Sequence, residues 1–124
     1  MKPLNVAVIG TGWCGGIRAI AAANHPIVAN LHIAETNPER LAEIIALTNP
    51  ASAVANWEQL IARNDIDTVI VSATPETTHY PMAKAALAAG KHVLLEKPMA
   101  LRLDEADDLI DIAEANGLKF TIGY

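Results

Sequence analysis

The segment VAVIGTGWCGG, Val6 to Gly16, forces a sharp transition on the backbone. A β-branched apolar run too short for a helix meets Gly10, Gly12 and Gly15 in a G-x-G-x-x-G pattern, and a helical stretch follows as far as Ala23. A chain satisfies this pattern by ending a buried strand, turning at once and packing the next helix back on that strand. The first glycine permits the tight turn, the second lets backbone amides approach a phosphate, and the third lets helix and strand touch. The helix N-terminus adds the positive end of its dipole. With seven glycines in the chain, the spacing alone is weak, so its context decides what it means.

That context repeats the transition. NVAVIG, HIAE, DTVIVSA, HVLLE and LKFTIG are short apolar runs suited to strands buried on both faces. Helical segments separate them. Asn37 and Pro38 open NPERLAEIIALTN as N-cap and first helical residue, with Leu41, Ile44, Ile45 and Thr48 at helical spacing. HYPMAKAALAAG has Gly90 as its stop. LDEADDLIDIAEANG carries four acids near its start and places Ala106, Leu109, Ile110 and Ala113 on one face. In ASAVANWEQLIARND the pattern predicts a short strand over Ser52–Ala55 and a short helix over Trp57–Arg63. The alternation predicts an α/β fold: a Rossmann-type doubly wound parallel sheet with helices on both faces, in a single domain over residues 1–124.

Composition removes several function classes. A chain of 124 residues, 52% hydrophobic and 19% charged, buries a sizeable core without staples, and no apolar run reaches the ~18 residues of a membrane span. The first ten residues lack a signal-peptide core and cleavage site. Cys14 is the only cysteine, which excludes an internal disulfide, leaves no thiolate cluster for a metal and fits a reducing cytoplasm. A formal charge of −5 without a basic cluster argues against nucleic acid and an anionic membrane surface, and only five Phe, Trp and Tyr residues are available to stack on bases.

Glu35 gives the glycine turn its meaning. It ends the second predicted strand 20 residues beyond Gly15, where a dinucleotide fold holds an acid against the adenosine ribose hydroxyls. A carboxylate there repels a 2′-phosphate, and Thr36 and Asn37 offer no cation, so NAD is expected over NADP. Arg40, one helical turn on, tempers this, being able to reach a phosphate or stack on adenine. Within the turn Gly10, Thr11, Gly12 and Gly15 are cofactor-binding candidates. Trp13 is read either as a core aromatic or as a lid over the turn, and Cys14 as a small packing residue whose amide lies near the phosphates.

Ligands of doubly wound sheets lie outside the carboxyl ends of the strands, so the residues ending DTVIVSA and HVLLE face the same crevice. Ala73, Thr74 and Pro75 form a turn suited to pass beneath a ribose. His79, at the next helix start, is read as a hydrogen-bonded structural residue in preference to a catalyst. Lys97 is confined by Pro98, which ends the strand and restricts the residue before it. An ammonium there can donate to a substrate hydroxyl or the nicotinamide amide and stabilise negative charge on oxygen during hydride transfer. Glu96 is expected to orient it as an ion-pair partner.

VAVIGTGWCGGIRA, AETNPERL, SATPETTHYPMAKAALAAGKHVLLEKPMAL and GLKFTIGY together resemble the N-terminal domain of the glucose-fructose oxidoreductase, inositol dehydrogenase and MocA family over essentially the whole chain. The resemblance implies a two-domain nicotinamide oxidoreductase, usually oligomeric, acting on sugars, inositols or related carbonyl and alcohol compounds. It implies that Lys97 lies beside nicotinamide and substrate and assists proton transfer. It also implies a second domain beyond Tyr124 for substrate contacts and oligomerisation, so the isolated chain is expected to bind NAD and turn over nothing. The rival expectation is a noncatalytic NAD(H)-binding sensor or subunit, which has no evident use for the Glu96-Lys97-Pro98 motif. A methyltransferase binding S-adenosylmethionine shares the glycine turn and acid but leaves Lys97 unexplained.

Overall fold

The computed structural model describes residues 2–124. Its strands are β1 (Leu4–Ile9), β2 (Val28–Ala34), β3 (Ser52–Val54), β4 (Thr68–Val71), β5 (His92–Glu96) and β6 (Phe120–Gly123). The helices are α1 (Trp13–Ala23), α2 (Pro38–Thr48), α3 (Glu58–Ile61), α4 (His79–Ala88) and α5 (Leu103–Ala115), with a single 3-10 turn at Glu76–Thr78. All strands run parallel in the order β3-β2-β1-β4-β5-β6. This is a Rossmann-like α/β fold.

Strand alternation divides the core between two faces. Ala7 and Ile9 of β1, Val69 and Val71 of β4, and Val93 and Leu95 of β5 join Met82, Ala83, Ala86 and Leu87 of α4 and Leu109 and Ala113 of α5. Val8 of β1 and Leu31 and Ile33 of β2 pack on the other side with Ala19 and Ala22 of α1 and Ile44 of α2. Neighbouring positions in one strand therefore serve opposite layers, which is why the strands are apolar throughout.

Helix ends follow their local chemistry. The Asn37 side chain accepts the Arg40 amide at 3.1 Å ahead of Pro38, and Asn49 closes α2 in the left-handed region. Asp104 and Glu105 occupy the first turn of α5, favourable to its dipole. The buried face of α5 differs from the expected one. Ile110 is 41% exposed, whereas Ile112 packs on the core beside Leu109 and Ala113. Spacings of three and four from Leu109 define that face, and Ile110 is rotated about 100° from it. β2 starts four residues before His32, and α3 is a single turn, one residue shorter at its start and two at its end than expected.

Register brings the site to one edge. Ile9 pairs with Ala34 and with Val71, and Val71 with Leu95. The residues that follow, Gly10, Glu35, Ser72 and Glu96, therefore leave the sheet at one level. The order reverses at β1 and β4, whose following connections diverge to opposite faces and open a crevice between them.

Candidate functional site

The glycine turn lies at the mouth of that crevice. Gly10 has φ +85°, and a Cβ on it would stand 2.5 Å from the Ala73 Cα, so both conformation and space demand glycine. A Cβ on Gly15 would stand 1.8 Å from the Gly10 carbonyl oxygen. Helix α1 therefore begins in direct contact with the strand end. Gly12 differs: nothing lies within 4 Å of where its Cβ would be. It is the N-cap of α1, and no side chain caps the first turn. The open space above Gly12 at an uncapped helix N-terminus suits an anion.

Glu35 is fixed against this turn. Its Oε1 accepts the Thr11 amide at 2.8 Å and the Thr11 hydroxyl at 2.7 Å, and Oε2 accepts the Asn37 amide at 3.0 Å. Burial alone would raise the carboxyl pKa, but hydrogen bonds from the Thr11 hydroxyl and from the amides of Asn37, Thr11 and Thr36 outweigh it and hold the group below the ordinary glutamate value. Arg40 is occupied too. Its Nε donates to the Thr11 carbonyl at 2.6 Å and its guanidinium pairs with Glu43 at 3.1 Å, so it braces the turn as well as lining the crevice.

Exposure removes one of the two readings of Trp13 and corrects the packing reading of Cys14. Trp13 is no core aromatic, because it is 84% exposed at the crevice rim. Cys14 is likewise exposed and does not pack. Both are early residues of α1, where the side chains radiate away from the sheet that Gly15 and Gly16 approach.

On the other side of the crevice, the His79 ring is buried, with Nδ1 2.8 Å from the Pro98 carbonyl and Nε2 3.0 Å from the Ala73 carbonyl. It ties the loop after β4 to the turn after β5, in agreement with its structural reading. The bonds Thr74–Pro75 and Lys97–Pro98 are cis. Glu96 does not orient Lys97. Its Oε2 accepts Arg18 Nη2 at 2.8 Å and Nε at 3.1 Å, because alternation along the strand end turns Glu96 towards α1 and away from the side chain that follows it. Lys97 itself is exposed, with its backbone amide held by the Gly123 carbonyl at 3.2 Å. No hydrogen bond or ion pair engages its ammonium among the described residues.

A cavity of about 700 Å³ unites these groups. Gly10, Thr11, Gly12, Trp13, Cys14, Glu35, Arg40, Ala73, Thr74, His79, Glu96 and Lys97 line it, while Gly15 and Pro75 shape the turns behind. The sequence reading missed Arg18, whose partner lies 78 residues away, and Ser72. The Ser72 hydroxyl is buried without a partner among the described residues. Cavity size falls in the range of cofactor sites. The open volume over Gly12, the uncapped helix start and the acid at the end of β2 together fit a dinucleotide.

Residues 4–124 match the oxidoreductase family GFO_IDH_MocA, described as having an NAD-binding Rossmann fold. An uncharacterised oxidoreductase of Synechocystis sp. is 38% identical over 110 residues, covering 89% of this chain and 29% of its own length. A glycosyl hydrolase family 109 protein of Streptomyces niveus is 38% identical over 120 residues, covering 90% of this chain and 24% of its own length. The structure of a levoglucosan dehydrogenase in complex with NADH is similar with a TM-score of 0.87 at 30% identity, over 98% of this chain and 34% of the other. The chain thus spans about a quarter to a third of the length of these relatives.

Proposed function

The chain belongs to the GFO_IDH_MocA oxidoreductase family, as its NAD-binding Rossmann domain, and on that premise we propose that it forms the cofactor half of a cytoplasmic, NAD-preferring sugar or polyol dehydrogenase. The observation that carries the reading is the convergence of the glycine turn, Glu35 and Lys97 on one cavity. Bound nicotinamide supplies the hydride acceptor or donor.

The protein's own groups divide the remaining work. First-turn amides of α1 and the space over Gly12 receive the pyrophosphate. Glu35 accepts ribose hydroxyls, and its charge disfavours a 2′-phosphate. Lys97 donates to the substrate oxygen and holds or receives the proton that accompanies hydride transfer. Its freedom from Glu96 supports that role, since an unpaired ammonium has its three donors available. The span of this chain relative to its relatives supports a further domain that completes the substrate pocket and subunit contacts. The isolated chain accordingly binds cofactor without turnover.

The name of the Streptomyces relative favours one competing reading, glycoside cleavage by the parent protein. Lys97→Ala in the full-length protein is the test. The dehydrogenase reading expects kcat to fall at least a hundredfold with cofactor affinity within a few-fold of wild type. Undiminished NADH formation defeats the role of Lys97, and release of free sugar without net NADH formation favours cleavage.

A further inference from the structure

We infer that Thr11 sets the preference of this site for an unphosphorylated ribose, acting as a positioning residue through Glu35. The inference rests on the dinucleotide reading of the cavity and deepens it. Thr11 lies between the first two glycines and is wholly buried, so its hydroxyl has no solvent to bond. It donates to Glu35 Oε1 at 2.7 Å, and the amide of the same residue donates to that same oxygen at 2.8 Å.

The consequence is a division of labour within one carboxylate. Oε1 holds two donors from Thr11, while Oε2 accepts the Asn37 amide. A carboxylate offers about four lone-pair sites, so beyond these three bonds Glu35, which lines the cavity, retains acceptor capacity. Two bonds to a β-branched residue fix the rotamer, because the Thr11 side chain is itself stiff about χ1. Its peptide is pinned from the other end by Arg40 Nε on the Thr11 carbonyl. Glu35 therefore meets an incoming ribose already aimed.

A 2′-hydroxyl can donate to that aimed oxygen, whereas a 2′-phosphate has no proton to give and carries like charge. An acid freed to rotate loses both the directed acceptor and the fixed repulsion. Residue types without a side-chain hydroxyl at this place supply no such donor. The preference is thus written in Thr11 as well as in Glu35.

The test is calorimetric titration of the 124-residue chain and its variants with NAD+ and NADP+. Thr11→Val keeps the branched shape and removes the hydroxyl. We expect NAD+ affinity to fall about tenfold, the scale of one hydrogen bond to a charged group, with NADP+ affinity changing less, so that the ratio of the two narrows. Thr11→Ser restores the hydroxyl and is expected to bring the ratio back to within about twofold of wild type. In a Glu35→Ala background the valine change is expected to have no further effect, as an action through Glu35 requires. An unchanged ratio in Thr11→Val, failure of serine to restore it, or an equal effect with and without Glu35 overturns the inference and leaves the cofactor reading standing. Wild-type chain that binds neither nucleotide overturns both. Should the valine variant fail to fold, Thr11→Ala paired with Thr11→Ser carries the same expectations.

Discussion

Gly12 and Gly15 sit three residues apart in one turn, yet alanine at the two positions should differ in its effect on stability. At Gly15 the new Cβ would stand 1.8 Å from the Gly10 carbonyl oxygen and 3.1 Å from the Ser72 Cβ. Ordinary contact begins near 3.4 Å, so the start of α1 must retreat by about 1.6 Å from a strand end that the sheet holds rigid. Forced overpacking of this kind costs about 1–3 kcal/mol or more, and here it also opens the turn. At Gly12 the backbone has φ −64°, which alanine adopts, and the Cβ meets no atom within 4 Å. Loss of an N-cap glycine and reduced freedom of the unfolded chain offset one another to within about 0.5 kcal/mol. The methyl group nevertheless enters the volume assigned to the pyrophosphate. Urea unfolding of Gly12→Ala should therefore match wild type while NAD+ affinity, measured by calorimetry, falls tenfold or more. Gly15→Ala should lose both. If Gly12→Ala binds NAD+ as wild type does, the space over Gly12 is not the phosphate site, and the geometric argument fails.

Three further outcomes follow from polar groups outside the turn. Arg18→Ala strips a half-buried Glu96 of both its side-chain donors and should destabilise the chain by about 1–2 kcal/mol in urea unfolding, with Arg18→Lys recovering part of the loss. Ser72→Ala removes a buried hydroxyl that has no partner among the described residues, so stability should stay level or rise by about 1 kcal/mol; a loss above 1 kcal/mol refutes the orphan assignment. Lys91 is buried, donating to the Arg63 and Ile66 carbonyls, and desolvation lowers its pKa from the ordinary lysine value despite Asp65 and Asp67 nearby. Between the lowered value and the ordinary one, the folded state binds fewer protons than the unfolded state, so this group makes stability rise with pH, by at most about 1.4 kcal/mol per unit. Lys91→Met should abolish that part of the slope, and identical slopes for the two proteins exclude it.

The sheet was legible because local signals agreed. β-branched runs, Pro38 after an N-capping Asn37 and the stop at Gly90 each mark an element boundary without reference to the rest of the fold. Glu35 was legible for the same reason: a fixed spacing from the glycine turn carries it to the strand end. Side-chain pairing was not. Glu96 stands next to Lys97 in sequence, but adjacent residues at a strand end point apart, and Arg18 reaches Glu96 only through the fold. Ile110 failed similarly, since several apolar residues of α5 offer overlapping stripes and only the packing partner chooses between them. Thr11 is legible as a turn residue, while its bond to Glu35 joins the turns that follow β1 and β2 and leaves no trace in either segment alone.

The most direct test of the central claim is calorimetric titration of the wild-type 124-residue chain with NADH and NADPH in parallel. The geometry of the glycine turn and Glu35 predicts saturable binding of NADH, with NADPH at least tenfold weaker. Absence of binding by either nucleotide at millimolar concentration would contradict the assignment of the cavity, and a preference for NADPH would contradict the role given to Glu35.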